Sequence, residues 1–282
     1  MRSCLSEPHS YNLAVMGLKE QLKGIIPERA LCSLSDRFDV IGDIAVVSLP
    51  EGLNNYHHVI ADAVISRRHN IRTVINKISR VDGSNRTARY EIIAGSDTVT
   101  VHKEYDFAYR LDVSTVFYNP RLASERKRVT DQVRPAERVV VPFCGVGPYV
   151  IPAAAKGAFV TAVEQNPEAC RWLGENVVLN DVEDRVIIFT GDAFDTSLLP
   201  VSAFDRAIIP TPYGMDAIFD VITPRVRPGG MIHFYTFCNR NQSDARGIEF
   251  ARRGFELVVQ RRCGNVAPGI SRWVYDLVKQ GL

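Results

Sequence analysis

The chain has 282 residues, of which 46% are hydrophobic and 23% are charged, and this is the composition of an ordinary soluble globular protein with one large or two medium domains. No apolar run approaches the length of a membrane span, and the first residues hold no apolar signal segment, so we expect a cytoplasmic protein with no membrane partner. The six cysteines include no Cys-x-x-Cys pair, which argues against a metal site, and a net charge of +2 is too small to indicate a nucleic-acid partner by itself.

The first part of the chain predicts a short lead-in followed by a small domain. Residues 1–35 have a helical pattern that is broken at Gly24 and Pro27. A glycine-interrupted strand pattern and an amphipathic helix pattern come next, and the strand patterns that follow them cover residues 71–78, 87–94, 98–103 and 107–113. We therefore predict a helical lead-in over residues 1–35 and an α+β domain over residues 36–115.

The remaining residues, 116–282, predict a larger α/β domain. A helical segment over residues 122–133 joins it to the first domain, and apolar strand patterns then alternate with helical segments. These strand patterns begin at Val139, Val160, Val186, Phe204 and Met231, and two more close the chain. Such alternation is typical of a parallel sheet with crossover helices.

Three candidate ligand groups follow three consecutive strands of this domain. Gly145 and Gly147 come directly after the first strand, where small residues let backbone amides approach a ligand. Glu164 ends the second strand, where a carboxylate can accept hydrogen bonds from both hydroxyls of a ribose, and Asp192 ends the third. Because open α/β sheets bind ligands at the carboxyl edge of their strands, we expect these groups to form one nucleoside site.

The type of glycine loop favours S-adenosylmethionine as the cofactor. The loop lacks the third glycine of a dinucleotide site and the Gly-Lys-Ser/Thr of a nucleotide triphosphate site. Structural alternatives remain open at this point. The two glycines can simply make a tight turn, Glu164 can cap the helix that starts at Asn166, and Asp192 can merely end a strand.

Two groups of basic residues flank the predicted cofactor site. Each group alone fits a solvated surface equally well, but together they favour a phosphate-rich substrate. The first group lies in the small domain and consists of Arg67, Arg68, Arg72, Lys77, Arg80, Arg86 and Arg89. The second group lies in and around the joining helix and consists of Arg121, Arg126, Lys127, Arg128, Arg134 and Arg138.

Several motifs of the chain resemble those of one enzyme family. The loop Phe143-Cys-Gly-Val-Gly-Pro-Tyr-Val-Ile-Pro152, the stretch Glu164-Gln-Asn-Pro-Glu168 and the stretch Asn119-Pro-Arg-Leu-Ala-Ser-Glu-Arg126 carry the resemblance, and Ala267-Pro-Gly269 extends it to the C-terminal half. They are similar to the archaeal and eukaryotic tRNA (guanine-37-N1)-methyltransferases. The resemblance runs from about Asp39 to the end of the chain. It implies a Rossmann-like class I methyltransferase domain and tRNA as the substrate. The sequence does not determine the oligomeric state, for which a monomer is favoured.

The resemblance also implies roles for individual residues. Removal of the guanine N1 proton needs a base, and the charge that develops on O6 needs a cation. Glu125 is implied as the base and Arg86 as the cation, although Glu125 also fits a helix ion pair with Arg121 or Arg128, and Arg89 competes with Arg86. The implied cofactor residues are Phe143, Cys144, Gly145, Val146, Gly147, Glu164, Gln165, Asp192, Ala193 and Pro210. The implied substrate residues are Tyr118, Arg121, Pro212 and Tyr213. The two tyrosines are candidates to stack on a base that is flipped out of its strand.

The chain departs from the family pattern in three places. Val141 stands where the family has an Asp that holds the amino-acid end of the cofactor, and Pro210-Thr-Pro212 replaces Asn-Leu-Pro. The family's N-terminal module is expected to be nearly absent, because only about 35 residues precede the small domain. Two alternatives therefore stay open: a degenerate or retargeted RNA-binding paralogue, and a wyosine-pathway aminocarboxypropyl transferase.

Overall fold

The computed structural model describes residues 17–79, 88–199 and 204–281. The chain folds into two compact units, of which the first comprises Met1–His102 with Asp112–Ser114 and the second comprises Lys103–Leu111 with Thr115–Leu282. Within the described residues, no helix is both long enough and apolar enough to cross a membrane.

The first unit contains a four-stranded sheet with one main helix against it. The strands lie in the order β1-β2-β3-β4, and their bounds are Asp39–Ile41, Ile44–Val47, Thr73–Lys77 and Tyr90–Ala94. The helix α3 (His57–Arg67) follows a 3-10 turn and buries Ile60, Ala61 and Val64 at helical spacing. The glycine-interrupted strand pattern that precedes this helix in the sequence, at residues 38–50, forms a hairpin and not a single strand, because Gly42 adopts a φ of 58° between β1 and β2.

The segment predicted as a lead-in belongs to this unit. Its helices α1 (Leu18–Leu22) and α2 (Glu28–Leu31) are short, yet Leu18, Leu22 and Leu31 lie in the same hydrophobic core as the sheet residue Ala45. Burial of these side chains, rather than helix propensity, stabilises such short helices.

A hairpin formed by β5 (Val99–Glu104) and β6 (Phe107–Asp112) contributes its tip to the second unit. There Asn180 Oδ1 accepts the backbone N–H of Ala108 at 3.0 Å, and Asn176 Oδ1 accepts that of Arg110 at 2.7 Å. The compact unit therefore begins earlier in the chain than the predicted boundary at residue 116.

The second unit is built on a seven-stranded sheet of order β12-β13-β11-β10-β7-β8-β9. The strands β11, β10, β7, β8 and β9 run parallel to one another, whereas β13 runs antiparallel to both of its neighbours, β11 and β12. Their bounds, from β7 to β13, are Arg138–Pro142, Phe159–Glu164, Val186–Thr190, Phe204–Ile209, Val226–Cys238, Phe255–Ala267 and Ile270–Lys279. The predicted α/β fold with a smaller α+β domain is confirmed.

In the described part of this unit, five α-helices accompany the sheet: α4 (Ala123–Thr130), α5 (Val150–Ala155), α6 (Pro167–Leu179), α7 (Ile218–Ile222) and α8 (Arg240–Arg252). An aromatic core packs on one face, where the Phe219 ring lies about 5 Å from those of Phe234, Phe250 and Phe255. The helix α8 begins at Arg240, because an Asn239–Gln242 capping box fixes its first turn.

Candidate functional site at the carboxyl edge of the sheet

The loop after β7 brings backbone amides to the carboxyl edge. Gly145 and Gly147 have φ values of 55° and 95°, which favour glycine. A Cβ atom on Gly147 would lie 2.5 Å from Leu173 Cδ1, whereas one on Gly145 would meet only Phe117 O, at 3.9 Å. Packing therefore requires Gly147, and Gly145 leaves open space in which a ligand can lie.

Glu164 connects this loop to the end of β8. Its Oε2 accepts the N–H of Gly145 at 2.8 Å, and its Oε1 accepts the N–H of Asn166 at 2.9 Å. The capping of α6 is done by Asn166, whose Oδ1 accepts the N–H of Glu168. Asn166, and not Glu164, therefore caps this helix. Each carboxylate oxygen of Glu164 keeps a second lone pair with which it can accept a hydroxyl.

Asp192 and the residues after it follow β9 and form the third part of the candidate site. Asp192 is exposed, and its Oδ1 accepts the N–H of Phe194 at 3.0 Å. The Phe194 ring packs edge-on against Phe143, with ring centroids 6.3 Å apart. Ala193 is buried in the same hydrophobic cluster, so it can reach a ligand only through its backbone.

The other predicted cofactor residues differ in how they meet solvent. Cys144 and Val146 are buried, Gln165 is exposed, and Pro210 follows the last residue of β10 at the same edge. Val141 is fully buried within β7, so the first strand supplies no carboxylate for the amino-acid end of the predicted cofactor. The edge therefore fits the adenosine part of S-adenosylmethionine better than its amino-acid part.

Glu125, the predicted base, is only 4% exposed and lies in α4. Arg128 donates to it from Nε at 3.0 Å and from Nη2 at 2.8 Å, which is the helix ion pair considered from the sequence. The Tyr235 hydroxyl donates to Glu125 Oε1 at 3.0 Å, and Arg261 Nη1 lies 3.8 Å from Oε2. The carboxylate is thus held in one orientation by donors from α4, β11 and β12.

A buried ionic network extends from this pair through the sheet. Arg128 also bonds Asp276, Asp276 bonds His233 Nδ1 at 2.7 Å, and Arg206 lies 2.7 Å from His233 Nε2. Because a guanidinium only donates, His233 Nε2 must accept, and the imidazole is the neutral Nδ1–H tautomer. Burial lowers the pKa of His233 below its ordinary value, in agreement with that tautomer. Burial opposes the ionised form of Asp276, but hydrogen bonds from His233 and Arg128 prevail and lower its pKa.

Tyr118, which the sequence predicts as a stacking residue, lies in a buried cluster. Its ring is 8% exposed, its hydroxyl donates to Glu104 at 2.7 Å, and Arg126 covers its face at 5.1 Å. The aromatic side chain is part of a buried ion-pair cluster because the hairpin tip brings Glu104 against it.

The other predicted substrate residues differ in exposure. Tyr213 is 64% exposed and packs against Phe237 with ring centroids 5.6 Å apart, so one face can meet a base. Pro212 is buried, and Arg121 is exposed at the turn that precedes α4. Arg86 lies outside the described residues.

Two side chains at this edge were missed from the sequence. Tyr235 orients Glu125, and Arg272 lies over the rings of Tyr235 and Phe237 at 4.8 and 5.5 Å. Arg272 pairs with Phe237 across β13 and β11, so only the strand register brings it here. The alternation His233, Tyr235, Phe237 along β11 was the available signal, because alternate residues share one face of a strand.

In the part of the chain that is described, no three His, Cys, Asp or Glu side chains are grouped as metal ligands.

Comparison with known proteins identifies the family. A family model described as the TRM5/TYW2 methyltransferase domain matches residues 100–261, more than half of the 282 residues. The chain belongs to this family. A second model, the TYW2 N-terminal domain, matches residues 18–98. The resemblance seen in the sequence is thereby confirmed at the level of the TRM5/TYW2 family.

Relatives within the TRM5/TYW2 family carry two different activities in their names. The tRNA (guanine(37)-N(1))-methyltransferase Trm5b of Pyrococcus abyssi is 34% identical over 82% of this chain and 66% of its own length. The tRNA(Phe) (4-demethylwyosine(37)-C(7)) aminocarboxypropyltransferase of Pyrococcus horikoshii is 36% identical over 94% of this chain and 98% of its own length. The solved structure of P. horikoshii TYW2 in complex with MeSAdo is 29% identical, has a TM-score of 0.76, and is matched over 93% of this chain and 97% of that chain.

The chain spans only part of the curated guanine-37-N1-methyltransferases that it matches. It covers 66% of the P. abyssi protein, 36% of the Mus musculus protein and 38% of the Fusarium vanettenii protein.

Proposed function

We propose that this protein transfers the methyl group of S-adenosylmethionine to N1 of guanosine 37 in tRNA, with Glu125 as the general base. The observation that carries the proposal is the buried Glu125 carboxylate, which Tyr235 and Arg128 orient within the unit that also holds the glycine loop and Glu164. The Pro-Arg-Leu-x-x-Glu-Arg segment that contains Glu125 further supports this reaction.

The cofactor is proposed from the chemistry of the carboxyl edge. Glu164 can accept the ribose hydroxyls, the open space at Gly145 admits the nucleoside, and the exposed Asp192 can reach the adenine with the backbone of Ala193. The MeSAdo in the related TYW2 structure supports a nucleoside thioether site in this family. When bound, S-adenosylmethionine supplies an electrophilic carbon on a sulfonium centre.

The protein's own groups would handle the proton and the developing charge. Glu125 accepts the N1 proton of the guanine, and the Tyr235 hydroxyl keeps the carboxylate directed to one side. The resemblance assigns stabilisation of the O6 charge to Arg86, and the exposed face of Tyr213 offers a surface on which the base can stack. The role of tRNA as substrate is supported by the names of the relatives.

Aminocarboxypropyl transfer to tRNA is the second candidate. Two observations favour it: the match that covers 98% of the P. horikoshii aminocarboxypropyltransferase, and the TYW2 N-terminal model over residues 18–98. Val141 and Pro210 are compatible with this candidate. They stand where the guanine-37-N1-methyltransferases have Asp and Asn, so the chain lacks two residues of the methyltransferase pattern.

The by-product of the cofactor separates the two reactions. Methyl transfer leaves S-adenosylhomocysteine, whereas aminocarboxypropyl transfer leaves methylthioadenosine. The purified protein is incubated with unmodified tRNA and, in parallel, with tRNA that carries 4-demethylwyosine, using methyl-labelled or carboxyl-labelled cofactor. We expect methyl label in guanosine 37 of the unmodified tRNA, identified by nucleoside mass spectrometry.

Two other outcomes of this experiment would contradict the proposal. Carboxyl label only in the 4-demethylwyosine tRNA would replace the proposal with the second candidate. Tight cofactor binding by calorimetry, without label transfer to either tRNA, would indicate an RNA-binding paralogue that has lost catalysis.

A further inference from the structure

A groove of about 820 Å³ lies beside the β12–β13 hairpin, on the side of the sheet that carries α8. It is lined by Arg240 at the start of α8 and by Arg262, Asn265, Ser271 and Trp273 of the hairpin. The turn Ala267-Pro-Gly269, which the sequence shares with its family and which the proposed reaction does not use, forms its rim.

The groove presents hydrogen-bond donors and positive charge. Arg240 and Arg262 are exposed, and among the described residues no carboxylate lies within 4.0 Å of either guanidinium. Other arginines near this hairpin are already paired: Arg246 bonds Asp216, and Arg261 lies near Glu125. The two groove arginines are therefore available to an external anion.

The remaining polar groups of the groove fit the same type of ligand. The Ser271 hydroxyl donates to Asn265 Oδ1 at 3.0 Å, which leaves the Asn265 amide N–H groups to donate outward. None of the described residues that line the groove is acidic.

The groove also lies at the same edge of the sheet as the proposed reaction site. Cys238, the last residue of β11, pairs with Ser271, so the hairpin tip lies at the carboxyl end of β11. Side chains alternate along β13, so Arg272 faces Tyr235 while Ser271 and Trp273 line the groove. An RNA strand that crosses the hairpin tip can contact both faces.

We propose that this groove binds phosphates of the tRNA backbone next to the target nucleotide, with Arg240 and Arg262 as the phosphate ligands. This inference rests on the proposed function for the identity of the RNA. Its chemistry is that of charge-assisted hydrogen bonds from guanidinium to phosphodiester oxygens, which position a nucleic acid without reading its sequence.

The test compares the Arg240→Gln/Arg262→Gln double variant with the parent protein in tRNA binding at several salt concentrations, without cofactor. Loss of two phosphate contacts is expected to weaken binding about 10-fold at low salt and to reduce the slope of log K against log salt by about 1.5. Arg252→Gln is the matched control, because Arg252 is an exposed arginine at the opposite end of α8. We expect the control to retain the parent affinity and slope.

A double variant with the parent slope, or a control that loses as much as the double variant, overturns the proposal. A second experiment measures by calorimetry whether the protein binds free inorganic phosphate. We expect no saturable binding at millimolar phosphate, and saturable binding would show that the groove is a site for a free anion and not for the tRNA backbone. The tRNA-binding experiment contains no cofactor, so its result does not depend on which group the enzyme transfers or on whether it transfers any. Failure of this proposal can therefore be distinguished from failure of the proposed function.

Discussion

The chemistry of the proposed site depends on how a few individual side chains are held. Glu125 is nearly inaccessible, yet it accepts hydrogen bonds from Arg128 and Tyr235. A buried carboxylate without such partners would be costly, so the donors both stabilise its charge and fix its direction. Arg272, which lies over the Tyr235 ring, adds a further positive charge beside that tyrosine.

Replacement of Glu125 by Gln is expected to reduce turnover by about 10²- to 10⁴-fold, because an amide cannot accept the guanine proton. Cofactor affinity should remain close to that of the parent, since Glu164 and the glycine loop are unchanged. Single-turnover transfer and calorimetry measure the two quantities. Glu175→Gln, which alters a partly exposed carboxylate of α6 far from the glycine loop in the chain, is the control. A Glu125→Gln protein that transfers at the parent rate would exclude Glu125 as the base.

At the scale of elements, the site depends on where strands end and how neighbouring strands are paired. The loop after β7 and the end of β8 are joined by Glu164, while the parallel and antiparallel neighbours of β11 bring Arg206, His233 and Asp276 together. The sheet thus supplies both the cofactor edge and the buried ionic network behind Glu125.

The two loop glycines should respond differently to replacement by Ala. Gly147→Ala is expected to lower stability by several kcal/mol, on the order of 3, because its Cβ would overlap Leu173 and its φ is 95°. Gly145→Ala should cost only about 1 kcal/mol of backbone strain but weaken cofactor binding at least about 10-fold, because its Cβ enters the open space. Urea unfolding and cofactor calorimetry test both variants, and equal cofactor affinity in Gly145→Ala and the parent would contradict the proposed site.

The buried imidazole of His233 makes stability depend on pH. Its folded-state pKa is lower than its ordinary value of 6.5, so below pH 6.5 the unfolded chain binds a proton that the folded chain does not. Stability is therefore lost as pH falls from 7 towards 5, with a slope of at most about 1.4 kcal/mol per pH unit. The variant His233→Gln, which can still donate to Asp276 and accept from Arg206, should flatten this slope in urea unfolding. An unchanged slope would show that other groups cause it.

At the scale of the whole molecule, the chain passes between its two compact units more than once. The β5–β6 hairpin starts and ends in the first unit, but Lys103–Leu111 belongs to the second. Glu104 of this tip forms a buried ion pair with Arg126, which is 2% exposed. The second unit is therefore incomplete without residues that precede Thr115 in the sequence.

Loss of the hairpin carboxylate should destabilise the full-length protein. Glu104→Gln leaves the buried Arg126 without a counter-charge, and we expect a decrease of about 3 kcal/mol in the free energy of unfolding. Asp131→Asn removes an exposed partner of Lys127 and Lys156 and should cost less than about 1 kcal/mol. Urea unfolding of both variants measures the difference, and equal losses would refute the structural role assigned to Glu104.

The sequence by itself determined the α/β class, the family and the order of the strand ends, because hydrophobic periodicity and glycine placement are local properties of the chain. It also offered Arg121 and Arg128 as ion-pair partners of Glu125, since residues three or four apart in a helix are neighbours, and the structure pairs Glu125 with Arg128. Only the tertiary structure decided that Tyr118 is buried against Glu104, and that Tyr235 lies beside Glu125 with Arg272 over its ring. It also decided that α8 and the β12–β13 hairpin line a groove whose two arginines have no carboxylate partner among the described residues. These contacts join residues that are far apart in the chain, and strand register and side-chain burial fix them rather than any local pattern.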